Sequence, residues 1–237
     1  MPIHDWTRMQ AGDFHHFHQG WITNIANALN TGGLPPGYMA MADRVFSSSR
    51  PDAVAGSDEP PAGVSRQEKP PAARFVARFD KGAYAQRADQ VVIRHVEDGD
   101  VAVIAVVSPG HKAGRIWFRT FVHRVADLLS QGVHLLIVDP LPPTPRDPNG
   151  IHKAIWDEFD DLPGEVPVGK PLSLVAYVGA EMPTAYVDFI GVGDPLPDMP
   201  IFLSEDKYVT VPLEETYNRA WAAYPTLLKE RMERPAD

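Results

Sequence analysis

The chain has 237 residues, of which 22 are Lys or Arg and 31 are Asp or Glu, for a formal charge of −9 at pH 7. It has no cysteine, which excludes a disulfide scaffold, a thiol nucleophile and any Cys-ligated zinc or iron–sulfur centre. The acidity argues against a sequence-independent polyanion binder, whose affinity needs clustered Lys and Arg.

The length fits one large domain with ample chain to bury a core. The most apolar window, Val133–Val138, is strand-sized, so no membrane span is expected. The opening Met1-Pro2-Ile3-His4-Asp5-Trp6 has no basic region leading into an apolar one, so the expectation is a cytoplasmic chain without a signal peptide. The 24 prolines cluster in connections and predict a loop-rich molecule with well-marked element boundaries.

In chain order, Phe14, Phe17, Trp21, Ile25 and Leu29 fall three or four apart and predict a helix over 13–29. Asn30-Thr31-Gly32-Gly33 before Pro35-Pro36 is its stop signal. A strand is expected over 38–46, and a mobile loop over the turn-rich and proline-rich segment 47–73. Alternation returns at Phe75, Ala77 and Phe79. The runs 91–96 and 101–107, joined by Glu97-Asp98-Gly99-Asp100, predict a hairpin. The second run is apolar on both faces, as a strand covered from both sides must be. A helix over 116–130, ended by Gly132, leads directly into a buried strand over 133–138. That strand should lie parallel to the central one, because a helix joins the two.

Five prolines between Pro140 and Pro148 predict an extended, polyproline-like exit from the sheet. A short helix over 151–160, strands over 172–178 and 185–192, and an extended crossing over 194–200 follow. A helix over 213–224 and a frayed tail end the chain. The predicted fold is α+β (α/β-like), with a mixed central sheet flanked by helices. It forms one domain over 1–237: a core over about 13–140 and an extension over 141–237 that wraps it.

Two polar clusters invite a chemical reading. Gly110, His111, Lys112 and Arg115 gather where the second helix begins. Free backbone N–H groups and cationic side chains there would meet an anion such as a phosphate, although the ordinary reading is a solvated turn. His15 and His18 are spaced to share an ion on a helix, but no acid stands at ligand spacing, and packing at the core edge is the plainer reading. His134, inside an apolar strand, is expected as a hydrogen-bonded core residue. Nucleophile elbows and phosphate loops are missing.

The order of Met1–Trp6, Phe14-His15-His16-Phe17-His18, Ile104–Lys112, Gly132–Pro140 and Asp194-Pro195-Leu196-Pro197 resembles the bacterial domain-of-unknown-function 4058 family over nearly the whole chain. That family is distantly similar to Uma2-like proteins and, through them, to the restriction-endonuclease-like fold. The resemblance implies an Asp at one strand end, an acid on the next strand and a nearby lysine. Together these hold Mg²⁺ and activate water against a phosphodiester. Residue by residue, the first acid matches Asp52. The second acid's position, before Val106-Val107-Ser108-Pro109, holds Ala105. The lysine that some relatives carry on the following helix matches Arg124.

A methyl group cannot ligate a metal, and arginine keeps its proton at neutral pH. The resemblance therefore implies a degenerate site with Asp52 as the one weak metal ligand, unless Asp43, Asp80 or Asp89 substitutes. The expected function is a non-catalytic scaffold acting as a binding or accessory module, without a cofactor. The alternative is a nuclease or phosphodiesterase dependent on Mg²⁺ with a rearranged site. A nucleic-acid or phosphate ligand would suit either.

Overall fold

The computed structural model describes residues 2–43, 90–160 and 166–234. Asp52, Asp80, Asp89, the loop expected over 47–73 and the alternating stretch from Phe75 to Phe79 lie outside the described residues.

Six strands form one sheet in the order of the chain: β1 (Tyr38–Asp43), β2 (Gln90–His95), β3 (Gly99–Val106), β4 (His134–Asp139), β5 (Leu172–Val178) and β6 (Thr184–Ile190). All neighbours are antiparallel except β3 and β4, which run parallel as expected. Between that pair lie the short α2 (Pro109–Lys112) and the long α3 (Arg115–Ser130). Gly132, at φ 81°, closes α3: Gly132 N–H donates to Leu129 O and Val133 N–H to Leu128 O, both at 3.0 Å. A left-handed glycine with these two bonds satisfies the last carbonyls and turns the chain straight into β4.

The side chains of β3 and β4 explain the layering. Ala102, Ile104, Val106, Leu136 and Val138 face one core, and Val103, Ala105, Leu135 and Ile137 face the other. α3 and α4 (Gly150–Trp156) cover the second core through Phe121, Val125, Leu129, Ile151 and Ile155. The first core is covered by α1 (Ala11–Ala28), α5 (Leu213–Ala223) and a hairpin of β7 (Met199–Ser204) and β8 (Lys207–Val211). Strands buried on both faces read as continuous apolar runs, which is why the middle of the sequence predicts them well.

The start of the chain packs against α1, α5 and the turn after β6. Ile3 exchanges backbone hydrogen bonds with Gly193 and Asp194, both at 2.9 Å. His4 stacks on Trp221 at 3.7 Å and bonds the Tyr217 hydroxyl through Nδ1 at 2.7 Å. Trp6, Phe14, Phe17 and Trp21 complete this aromatic cluster.

The C-terminal third corrects the sequence in two places. The crossing expected over 194–200 holds no helix or strand through Asp198, but its last two residues, Met199 and Pro200, open strand β7, with Pro200 opposite Thr210; a two-stranded sheet has only edge strands, where a missing N–H is tolerated. The tail expected to fray after Tyr224 is helix α6 (Thr226–Glu233), entered from Pro225. No helix among the described residues is long and apolar enough to cross a membrane.

Candidate functional site

Parallel strands release the chain at the same end of a sheet, and in α/β proteins ligands gather outside those carboxyl ends. Here β3 leads into Ser108-Pro109-Gly110-His111-Lys112 and β4 leads into Asp139 and the proline-rich segment. Ser108 caps α2, and its N–H donates to His111 Nδ1 at 3.1 Å. This fixes the one-turn helix that aims Lys112 inward.

The Lys112 ammonium is enclosed by oxygen. It lies 2.7 Å from Asp139 Oδ2 and 2.8 Å from Asp147 Oδ2, and donates to Leu141 O and Pro142 O at 3.2 and 3.3 Å. Lys112, Asp139 and Asp147 are 4%, 3% and 2% exposed. Burial pushes the Asp139 carboxyl up to about 6, partly opposed by Lys112. Asp147 also accepts from Thr144 N–H and the Thr144 hydroxyl through Oδ1, and Arg146 donates to Lys112 O at 3.0 Å. The segment expected to leave as an extended polyproline path therefore wraps one cation instead.

This corrects the expected anion-binding cluster. Lys112 is not at the surface, and its charge is committed to two carboxylates. The His111 imidazole, packed 4.7 Å from the Phe121 ring, is pushed down to about 3 by burial and is neutral at physiological pH. Arg115 is exposed at the start of α3. The three side chains do not present one cationic surface.

Of the expected degenerate catalytic set, Ala105 lies in a transverse row of the sheet and Arg124 on helix α3. Asp43 pairs with Gln90, Gln90 with Ala105, and Ala105 with Ile137. Directly opposed residues point to one face, here the face under α3 and α4. Ala105 is fully buried between Gln90 and Ile137, and Gln90 is fully buried with no hydrogen-bond partner for either end of its amide among the described residues. Arg124, half-buried on α3, has no hydrogen-bond partner for its Nε among the described residues. Asp52 lies outside the described residues.

The described part of this row does not fit Mg²⁺. It offers a methyl, a hydrocarbon chain and a neutral amide, with Asp43 as its carboxylate. Asp43 stands two strand spacings from residue 105, about 10 Å. No group of three His, Asp or Glu side chains among the described residues could hold a metal.

His18 and His134 are hydrogen-bonded within the core. His18 Nε2 donates to Val106 O at 2.8 Å, and burial pushes its imidazole down to about 4. His134 Nδ1 accepts from Gly179 N–H at 3.1 Å, as expected of a hydrogen-bonded core histidine.

Sequence reasoning missed Asp139 and Asp147. Asp139 carried a signal, being a carboxylate at the end of an otherwise apolar parallel strand; Asp147 carried none, because only the fold brings it under Lys112.

No family model, curated protein or solved structure matches the chain.

Proposed function

We propose that the chain is a restriction-endonuclease-like scaffold whose cleavage site has lost a ligand, and that it acts as a binding or accessory module. The single observation that carries this reading is Ala105. The position where the resemblance calls for an acid is a methyl buried completely between Gln90 and Ile137. The fate of Lys112 supports it too, since this cation beyond the end of β3 is held by Asp139 and Asp147.

The alternative, a nuclease or phosphodiesterase dependent on a metal, has Asp43 in its favour because Asp43 shares the Ala105 row. It needs a second carboxylate within about 5 Å to share one cation. Incubation of the purified chain with supercoiled plasmid and with single-stranded RNA, in Mg²⁺ or Mn²⁺, tests the reading. The expected result is no cleavage beyond that of an Asp52→Ala control. Cleavage that disappears in Asp52→Ala overturns it.

A further inference from the structure

Strand β6 ends the sheet, and among the described residues no strand pairs with its outer edge. Its sequence, Thr184-Ala185-Tyr186-Val187-Asp188-Phe189-Ile190, has no glycine or proline and one charge. Tyr186 and Val187, on opposite faces, are 50% and 39% exposed. An edge of this kind is a template for another strand; of the usual guards β6 carries one charge, Asp188, and no Lys, Pro or bulge.

A cleft of about 560 Å³ adjoins the same strand on the face of Tyr186. The Phe202 ring lines it, stacked on Tyr186 at 5.2 Å and tilted against Tyr208 at 5.5 Å. Asp198, Glu205 and Asp206 also line it, and no Lys or Arg does. Lys207, the first residue of β8, stands beside Asp206 but outside the lining. Ser204 donates to Asp206 Oδ1 at 2.8 Å, and this bond holds the Asp206 carboxyl below its usual range, hence ionised. Asp188 follows Tyr186 on the same face of β6.

We infer that β6 and this cleft together form a docking site for an extended basic segment of a partner protein, which adds as a seventh strand and places a Lys or Arg in the cleft. The two halves of the site ask for the same ligand. Backbone groups of β6 pair with any extended chain, while alternate side chains of an added strand fall on the cleft face. There, aromatic faces and carboxylates both favour a cation. Charge decides against a second copy: the chain carries −9 overall, and a copy's β6 would bring Asp188 in place of a cation. This inference is independent of the reading of Ala105.

The probe is a fluorescein-labelled nonapeptide of alternating valine and lysine, titrated with the full chain and followed by anisotropy. Saturable binding is expected, weakening as salt rises. The peptide with glutamate in place of lysine, and one with the same composition in two blocks, should each bind more weakly by about ten-fold or more. N-methylation of one alternate set of peptide amides should abolish binding and of the other set should not. Tyr208→Ala and Asp198→Asn alter exposed side chains and should each weaken binding while leaving the melting temperature unchanged. Equal binding of the N-methylated peptides, or unchanged binding in both variants, overturns the proposal. A free chain that sediments as a dimer dissociated by Tyr186→Lys overturns it as well, and gives the edge to a second copy.

Discussion

Lys112 Nζ lies 2.7 Å from Asp139 Oδ2, and both side chains are almost wholly buried. This pair ties the turn after β3 to the end of β4, and Asp147 extends the tie into the proline-rich segment. Bringing a lysine and two carboxylates out of water costs several kcal/mol per ion, and attraction repays it only when the remaining donors are satisfied. The two carbonyls of Leu141 and Pro142 do that for the ammonium. The arrangement fixes one path for a segment that five prolines would otherwise leave extended.

Replacing the cation alone should therefore be costly. Lys112→Met leaves Asp139 and Asp147 buried without a counter-charge, and the expected loss is about 3–5 kcal/mol in urea unfolding. Adding Asp139→Asn to that variant should restore part of the loss. A Lys112→Met chain as stable as the parent would mean that the triad is not formed.

Acid should destabilise the fold, and the sign follows from the buried groups. His18 and His111 have folded values of about 4 and 3, below their ordinary 6.5. Their contribution to stability is present above pH 6.5 and is lost as pH falls through the range down to those values. Asp139, raised from 3.8 to about 6, runs the other way: its contribution is present below 3.8 and is lost as pH rises through 6. Two histidines outweigh one carboxyl, so the urea midpoint should drop between pH 6.5 and 4. His18→Gln should flatten that slope by on the order of 3 kcal/mol across the range. A midpoint that holds steady or rises on acidification would contradict the assignment.

The middle of the chain was the most legible part. Val101–Val107 and Val133–Val138 are apolar on both faces, and only a strand covered from both sides needs that. Gly132 marked the end of α3, and the parallel relation of β3 and β4 followed from the helix between them. The β7–β8 hairpin was hidden because Pro200 reads as a strand breaker, and only its place in a two-stranded sheet makes it tolerable. Lys112 was misplaced for a similar reason: a cation next to glycine and histidine reads as surface, and the carboxylates that bury it lie 27 and 35 positions further along the chain. Of the residues singled out by the resemblance, Ala105 was the one legible in both respects: its methyl side chain is plain from the sequence, and the apolar run around it predicts its burial.

A charge introduced at that position should be poorly tolerated. Ala105→Glu places a carboxylate in a fully buried row between Gln90 and Ile137, with an expected cost of several kcal/mol without metal. Urea unfolding of the variant with and without Mn²⁺ checks this. Parental stability in both conditions would show that residue 105 does not face a buried site.

The close approach of β5 to the α3–β4 turn offers a steric check. A Cβ on Gly179 would stand 2.5 Å from Val133 O, a backbone atom that cannot swing away. Gly179→Ala should cost about 1–3 kcal/mol, as overpacking does, and should disturb the hydrogen bond from Gly179 N–H to His134. The His134 ring resonances and the urea midpoint should change together.

Calorimetric titration of the intact chain with Mg²⁺ and with Mn²⁺ tests most directly whether the scaffold has lost its metal site. With a methyl at 105, no heat above dilution is expected from either ion. Saturable binding to one site that vanishes in Asp52→Ala would contradict the account and make the chain a metal-dependent enzyme candidate again.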